Sequence, residues 1–358
     1  MRPLARAGGW LLAHRLPRRV LTVPGVVLVL LAIVTTVPLW LLLAAAVSPW
    51  LPGRWRPLRL LCFVLLWLLL EVTALAALGW LWLVNRGRVH TPAATAAHYR
   101  LLGWLTGHLV AAAHRLFGIR LALDGAALPT PPGDAERGGA RPLLVLSRHA
   151  GPGDSLLLVH ELLAVYDREP RIVLKDALQL DPTVDVLVNR LPSRFISPHP
   201  PPGSGVADQV GQLAASMDGD DALVIFPEGG NVTERRRLRA IAKLESGGRS
   251  AHAAAARRMR HLVAPRPGGV LAALDAAPRA DVVFVGHTGL EELDSVGDLW
   301  RGLPLDSEVR ARFWTVPAGE VPTGRAARIA WLYDWWTYLD TWISGRRSNT
   351  EENLSDRA

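Results

Sequence analysis

The sequence has almost no cysteine and almost no lysine, and both shortages narrow what the chain can be. Cys62 stands alone in an apolar run, which excludes an intrachain disulfide and argues against a thiolate metal site. Lysine occurs only at positions 175 and 243, so arginine carries nearly all of the cationic side of a formal net charge of +8. No nucleic-acid recognition motif accompanies this charge, and we expect no nucleic-acid partner. No metal-ligand cluster stands out either, so neither a metal nor a cofactor is expected.

Apolar sequence is abundant instead, and it is concentrated in the first third of the chain. Two runs, at about 20–47 and 58–84, each exceed the roughly 20 residues that span a bilayer. A turn at 49–57, rich in proline and tryptophan, separates them and predicts a helical hairpin. The arginines of segment 1–19 favour an integral membrane protein with the bulk of the chain on the cytoplasmic side, while a shallow re-entrant hairpin is the alternative. Glu71 lies inside the second run, where it is expected to be protonated, paired with another helix or turned away from lipid.

The remaining sequence predicts further segments by composition and periodicity. Apolar residues at three- and four-residue steps, from Tyr99 to Leu116, predict an amphipathic helix that ends at Gly118. Near the C-terminus, tryptophans at helical spacing predict a helix that is buried against the domain or inserted at the membrane interface. The predicted segments are a basic segment 1–19, a membrane hairpin 20–90, an amphipathic helix 91–118, a domain 119–344 and a disordered tail 345–358.

Polar residues follow a buried-strand pattern near the middle of the chain. The apolar run 143–146 predicts a strand, and a Gly/Pro turn at 147–155 leads into a further apolar segment. Such an arrangement places polar side chains at the carboxyl end of a sheet, where open α/β folds keep their sites. His149 and Asp154 stand in this turn with four residues between them. The carboxylate can therefore fold back onto one imidazole nitrogen and leave the other nitrogen free to accept a proton.

A second buried-strand pattern, at 221–226, also ends in polar and flexible residues. Pro227, Glu228 and Gly229 follow it directly, and the glycine allows the backbone to approach a ligand closely. These three residues are candidates for substrate binding. We expect both polar loops to meet at one edge of one sheet.

Together, His149-x4-Asp154 and Phe226-Pro227-Glu228-Gly229 resemble the glycerolipid acyltransferases, the family of 1-acylglycerol-3-phosphate acyltransferases, over about residues 116–290. The resemblance implies an α/β fold, with a mostly parallel central sheet flanked by helices, behind the N-terminal transmembrane hairpin. It also implies transfer of a fatty acyl group from acyl-CoA or acyl-carrier protein to a hydroxyl of a lysophospholipid at the membrane. The acceptor expected is 1-acylglycerol-3-phosphate, and the acyl thioester is a co-substrate rather than a cofactor.

The resemblance also implies roles for the two blocks. His149, oriented by Asp154, would remove the proton from the acceptor hydroxyl as that oxygen attacks the thioester carbonyl. Glu228 would hold acceptor hydroxyls or shape the site. Backbone N–H groups of Gly151 and Gly153 are candidate donors to the oxyanion.

The chain departs from the family pattern at two places that concern the phosphate of the acceptor. The family has a phosphate-binding arginine after an apolar pair, whereas the region 187–198 offers Arg190 and Arg194 in the order Arg-Phe-Ile. Both are candidates for binding phosphate, and surface charge is the alternative for each. After Glu-Gly the family often has Thr-Arg-Ser, but this chain continues with Gly230 and Asn231. The arginines at 235–237 either compensate for this difference or form a solvated helix face.

Two other functions remain open from the sequence. Gly153-Asp154-Ser155-Leu156 spells the short motif of GDSL-type lipases, in which Ser155 would be a nucleophile. That motif needs a distant Asp-x-x-His, which does not occur near the C-terminus. The departures after Glu228 also fit a catalytically inactive, membrane-anchored interaction protein.

Overall fold

The computed structural model describes residues 14–51, 55–125, 141–151, 153–197, 205–291, 297, 300, 301, 303 and 307–355. Most of the basic N-terminal segment 1–19, residues 126–140 and residues 198–204 lie outside the described residues. The chain forms two compact units. The first comprises Met1–Ile119, Ile172–Pro202 and Leu299–Asp306, and the second comprises Arg120–Arg171, Gly203–Asp298 and Ser307–Ala358.

Helices and strands alternate through most of the chain. The helices are α1 (Arg15–Val47), α2 (Arg56–Val84), α3 (Pro92–Phe117), α4 (Asp154–Ala164), α5 (Pro182–Val188), α6 (Val206–Ala215), α7 (Glu234–Ser246), α8 (Ser250–Arg258), α9 (Pro267–Ala276) and α10 (Arg325–Ser355). The strands are β1 (Arg120–Asp124), β2 (Leu143–Ser147), β3 (Glu169–Lys175), β4 (Arg194–Ile196), β5 (Asp221–Ile225), β6 (Asp281–Thr288) and β7 (Glu308–Val316). Short 3-10 turns occupy Ser48–Trp50, Asp176–Leu180 and Ala318–Glu320.

The first unit contains the two long apolar helices, and both are long and apolar enough to cross a membrane by length and composition. The start of α1 is anchored by charge: Arg18 and Arg19 donate to the carboxylate of Asp185 at 2.6 and 2.7 Å. Glu71 of α2 is buried, and the hydroxyl of Thr183 donates to its backbone carbonyl. Glu71 therefore packs against α5 of the same unit and is not exposed on the surface of its apolar helix.

Helix α3 ends at the glycine that its sequence predicts, and a threonine caps its start. The Thr91 hydroxyl accepts the N–H of Ala94 at its start, and Gly118 ends the helix with φ of +74°, a conformation that favours glycine. His98, which is not one of the apolar residues that predict this helix, is nevertheless fully buried. Its Nε2 lies 3.2 Å from the guanidinium of Arg190, so a polar partner accounts for the burial.

The sheet of the second unit follows the order β1-β7-β6-β2-β5. The pairs β1–β7, β2–β6 and β2–β5 are parallel, and β6–β7 is antiparallel. In the first unit the end of β3 pairs with β4, again in parallel. Strands β2 and β5 are buried along their whole length, as continuous apolar runs of a parallel sheet are expected to be. The predicted α/β fold, with a mostly parallel sheet and two apolar N-terminal helices, is confirmed.

The C-terminal helix α10 packs its aromatic side chains on the sheet of its own unit. Trp336, Leu339 and Ile343 are fully buried, and the ring of Trp335 stacks on Phe284 of β6 at 4.4 Å. Of the two predicted environments for these tryptophans, the structure shows burial against the domain. The helix also continues past Gly345 to Ser355, where the sequence predicts a disordered tail; a single glycine costs a helix only about 1 kcal/mol.

Candidate active site

Strands β2 and β5 bring the two polar loops together. They are parallel neighbours, so the residues that follow them lie at the same edge of the sheet. The backbone N–H of His149 donates to Glu228 Oε1 at 3.1 Å, and the N–H of Val263 donates to Oε2 at the same distance. Glu228 is 0% exposed. Its two oxygens thus hold two separate backbone segments, an arrangement that shapes the site and that leaves Glu228 without open space for an acceptor hydroxyl.

His149 and Asp154 form the close pair that the sequence predicts. Nδ1 of His149 lies 2.9 and 3.1 Å from the two carboxylate oxygens of Asp154. Asp154 is the first residue of α4, where the helix dipole favours a negative charge, and its side chain is buried. The N–H groups of Ala150 and Gly151 also donate to Oδ2, at 2.7 and 3.2 Å. The Gly151 N–H is therefore already bonded and is not a free oxyanion donor in this conformation.

The surroundings of Asp154 keep it ionised. Burial opposes the charge, but the hydrogen bond and positive potential of His149, with smaller contributions from His287 and the Gly151 N–H, hold the pKa of Asp154 below its usual value. A carboxylate that stays ionised accepts the Nδ1–H of His149 and fixes the imidazole tautomer.

The imidazole ring of His149 is positioned by packing as well as by its hydrogen bond. The ring lies against Phe226, the residue that follows β5, with 4.6 Å between ring centroids. The backbone carbonyl of His149 accepts the N–H of Val232 at 3.0 Å. Because Nδ1 faces Asp154, Nε2 is the nitrogen that remains to accept a proton, and no hydrogen bond to it occurs among the described residues. The arrangement is able to serve as a general base.

Two arginines lie beside the glycine turn that follows Glu228. Gly229 and Gly230 have φ of +72° and +148°, which side chains other than glycine rarely adopt. A Cβ on Gly229 would lie 3.0 Å from the guanidinium of Arg266, and a Cβ on Gly230 would collide with the guanidinium of Arg236. Arg236 also donates to the backbone carbonyl of Glu228 at 3.3 Å. Burial, followed by the nearby Arg266 charge, lowers the pKa of Arg236, and the Glu228 carboxyl opposes this shift. No ion pair joins Arg236 or Arg266 to a carboxylate among the described residues.

The arginines proposed from the sequence have other surroundings. Both lie in the first unit. Arg190 donates to the backbone carbonyl of Leu78 at 2.8 Å and contacts His98, so its guanidinium is occupied within that unit. Arg194 is exposed on β4 and donates to the carbonyl of Ser193. Phosphate binding by Arg194 stays a prediction, and the contacts of Arg190 argue against that role.

Pro227, the other predicted binding residue, is buried and acts through its backbone. Its carbonyl accepts the N–H of Arg266 at 2.8 Å, which brings the Arg266 segment to the Glu228 turn. Gly229 is exposed at that turn, and its N–H donates to Phe226 at 2.9 Å. Neither side chain offers a polar group, so any contact of these two residues with substrate would be made by the backbone.

Sequence reasoning missed a buried charged cluster behind the site. Arg148 is 1% exposed, and its guanidinium donates to the backbone carbonyl of His287 and, at 2.6 Å, to Glu291. Nε2 of His287 lies 3.7 Å from Asp154. Burial, with the neighbouring Arg148 charge, lowers the pKa of His287 to about 4, so this imidazole is neutral at physiological pH. The position of Arg148 directly before His149 was the one signal in the sequence.

The alternative nucleophile lacks a base in this structure. The Ser155 hydroxyl donates to Asp154 Oδ1 at 3.1 Å, and no imidazole contacts it among the described residues. A nucleophilic serine is activated by an adjacent general base. Within the described part of the chain, no group of three or more potential metal ligands occurs either.

Comparison with known proteins agrees with the fold and the motifs. Residues 128–283 match the family model described as Acyltransferase. The fold is similar to the crystal structure of PlsC, the 1-acyl-sn-glycerophosphate (LPA) acyltransferase from Thermotoga maritima, with a TM-score of 0.50 and 12% sequence identity. That alignment covers 80% of this chain and 98% of PlsC. No curated protein sequence matches the chain at a significant level.

Proposed function

Because the chain is an acyltransferase of the glycerolipid acyltransferase family, we propose that it moves a fatty acyl group from an acyl thioester to a hydroxyl of a lysophospholipid. The acceptor class that fits best is 1-acylglycerol-3-phosphate. The observation that carries the proposal is the pair formed by His149 and Asp154, 2.9 Å apart, beside the loop that holds Glu228.

The proposed reaction is a direct transfer. Nε2 of His149 takes the proton of the acceptor hydroxyl while that oxygen attacks the thioester carbonyl. The C–S bond then breaks, and the proton passes from His149 to the departing thiolate of coenzyme A or acyl-carrier protein. Asp154 stabilises the imidazolium that exists between the two proton transfers, since it stays ionised and accepts from Nδ1. The reaction uses the acyl thioester as co-substrate and needs no metal or cofactor.

Glu228 is proposed as a positioning residue for this chemistry. Both its oxygens accept backbone N–H groups, one of which belongs to His149 itself. Burial raises the pKa of Glu228 to about 8. Glu228 would therefore act by holding the backbone of His149 in place and not by contacting the substrate.

Arg236 and Arg266 are proposed to hold the phosphate of the acceptor. Arg266 lies beside Gly229 and Arg236 beside Gly230, in the turn that follows Glu228. Two neighbouring guanidinium groups, neither in an ion pair among the described residues, bind a phosphate well, because its oxygens satisfy both charges. Arg236 is thus the member of the 235–237 run that compensates for the missing Thr-Arg-Ser, whereas Arg237 is paired with Glu234 at 2.8 Å.

An assay of the purified full chain tests the proposed function. Acyl-CoA and acyl-carrier protein are offered as donors, and lysophosphatidate, lysophosphatidylcholine and monoacylglycerol as acceptors. We expect thioester-dependent acylation of lysophosphatidate and much weaker acylation of monoacylglycerol, which has the hydroxyl but no phosphate. Hydrolysis of phospholipid without a thioester, together with labelling of Ser155 by a fluorophosphonate, would instead support the lipase function.

We also propose that the enzyme is an integral membrane protein with its catalytic domain on the cytoplasmic side. The support is the length and apolarity of α1 and α2 and the arginines that flank them. Washing membranes that contain the full chain with alkaline carbonate should leave the protein in the pellet. Release of the protein into the supernatant would contradict the proposal that it is an integral membrane protein.

A further inference from the structure

The first unit contains a cavity whose lining includes none of the residues assigned to acyl transfer. It has a volume of about 470 Å³ and is lined by α1, α2 and the turn before α5. Thr22 of α1, Trp67 and Glu71 of α2, and Asp181 contribute its polar and aromatic wall. Trp67 and Glu71 are four residues apart on one helix, so they face the same side.

The two carboxyl groups of this cavity are not neutralised by a basic side chain. Glu71 is 3% exposed, and its side chain forms hydrogen bonds with Asp181 and Thr183. Its Oε2, however, receives no hydrogen bond from any described residue. Asp181 caps α5 by accepting the Val184 N–H at 2.9 Å, and burial raises the pKa of Asp181. No ion pair joins either carboxyl to an arginine or lysine in the described part of the chain. The arginines of α1 that precede Thr22, Arg18 and Arg19, donate to Asp185 instead.

The composition of the wall indicates what kind of cation would fit. A bare metal ion usually requires more ligands than two carboxylates, and no cluster of three ligating residues occurs among the described residues. The volume lies within the range of pockets that hold small organic molecules, about 300–1,000 Å³. A tryptophan face attracts organic ammonium groups, and Trp67 is 38% exposed beside the carboxyl groups. The Thr22 hydroxyl, which has no hydrogen-bond partner among the described residues, can accept a hydrogen bond from an ammonium N–H.

From these contacts we propose that the cavity of Trp67, Glu71 and Asp181 binds an organic ammonium group. Glu71 and Asp181 supply the negative charge, and Trp67 covers the ammonium from one side. The same chemistry is offered by the headgroup of an aminophospholipid and by a soluble polyamine. The site is independent of the chemistry assigned to His149.

Binding to the full chain in detergent micelles tests the proposal. The probes are phosphatidylethanolamine, phosphatidylglycerol with the same acyl chains, and spermidine, each detected as an adduct by native mass spectrometry. We expect phosphatidylethanolamine or spermidine to bind more tightly than phosphatidylglycerol. Preference for phosphatidylethanolamine assigns the ammonium to a lipid, and preference for spermidine assigns it to a soluble amine.

Variants locate the binding in the cavity. Glu71→Gln should weaken binding of the preferred amine by about tenfold or more, because a charge-assisted hydrogen bond is lost. Trp67→Leu should weaken it by about 3- to 30-fold, the range of one cation–π contact. Trp80→Leu, a change at an exposed tryptophan of the same helix, is the matched control and should bind as the unchanged protein does.

Two results would overturn the proposal. One is equal binding of phosphatidylglycerol and both amines, which would leave Glu71 and Asp181 as a carboxyl pair that shares only a proton. The other is amine binding that none of the cavity variants weakens. If Glu71→Gln does not fold, the comparison of Trp67→Leu with Trp80→Leu decides alone, since both side chains are partly exposed and their loss removes little buried area.

Discussion

Glu228 lies at the centre of the site yet touches only protein. Its two carboxylate oxygens accept the backbone N–H groups of His149 and Val263, and these bonds hold the loop after β2 and the segment before α9. The imidazole of His149 is then fixed from three directions, by this backbone bond, by Asp154 and by the ring of Phe226. Neighbouring protein groups, and not the substrate, therefore determine the orientation of the His149 imidazole.

The phosphate proposal makes a prediction about two arginines. Arg236→Ala or Arg266→Ala should raise KM for lysophosphatidate about tenfold or more, because each guanidinium would make charge-assisted hydrogen bonds to the phosphate. The kcat should change less, since neither side chain contacts His149. Steady-state kinetics with varied acceptor measures both constants.

Arg235→Ala is the matched control for these variants. Arg235 is exposed on the same turn of α7 and should leave KM unchanged. Equal KM values for all three variants and the unchanged protein would contradict phosphate binding by Arg236 and Arg266.

The site residues that the sequence predicts lie close together along the chain, whereas those that it does not predict reach the site through long-range packing. His149, Asp154 and Glu228 follow strand patterns in short loops, where a local spacing fixes their relation. Arg148, His287 and Arg266 reach the site from β2, β6 and the segment before α9, and their contacts depend on long-range packing. Arg190 was predicted to bind phosphate for the same reason. The sequence around it does not reveal that its guanidinium donates to the backbone carbonyl of Leu78 in α2.

Among the elements, the start of α1 depends on a buried ion-pair cluster. Arg18 is 1% exposed and Asp185 is 0% exposed, and the Asp185 carboxylate accepts from Arg18, Arg19 and Asn189. This cluster joins α1 to α5 within the first unit. Loss of one partner of this cluster is expected to be strongly destabilising, because the other charge is then left buried and unpaired.

Asp185→Ala is therefore expected to destabilise the first unit by about 3–5 kcal/mol, the usual cost of breaking a buried ion pair from one side. Asp334→Ala, a change at an exposed aspartate of α10, should have little effect. Thermal unfolding of both variants in detergent measures the difference. A variant Asp185→Ala as stable as Asp334→Ala would mean that α1 is anchored by its apolar contacts and not by this cluster.

The elements also differ in how well the sequence predicts them. Strands β2, β5 and β6 are continuous apolar runs bounded by turns, and helix α3 has a capping threonine and a terminal glycine, so local signals suffice. Strand β7 was missed: its residues alternate between buried and more exposed positions and include three charged ones, so no single apolar run marks it. It becomes a strand because it pairs with β1 and β6.

For the molecule as a whole, two buried groups predict how stability changes with pH. The pKa of Glu228 rises from 4.5 to about 8 on folding, because burial disfavours its charge. The folded state therefore holds a proton that the unfolded state has lost, and stability falls as pH rises from about 4.5 to about 8. His287 acts in the opposite direction, since its pKa falls from 6.5 to about 4 and stability rises across that window.

The two contributions oppose each other below pH 6.5 and leave a net decline above it. We expect the free energy of unfolding to decrease by up to about 2 kcal/mol between pH 6.5 and 8, and Glu228→Gln to remove most of the decrease. Glu169, whose pKa is raised to about 7 by burial, adds a smaller change in the same direction. Denaturant unfolding at a series of pH values measures the profile, and a stability that rises from pH 6.5 to 8 would contradict it.

The most direct test of the central claim compares two variants in the thioester-dependent acylation of lysophosphatidate. If His149 is the general base, His149→Ala lowers the rate of transfer by at least about 10²- to 10⁴-fold, while Ser155→Ala retains most of the activity because Ser155 only donates to Asp154. Thermal unfolding of both variants checks that each remains folded at the temperature of the assay. Full activity of His149→Ala, or loss of activity in Ser155→Ala alone, would contradict the account.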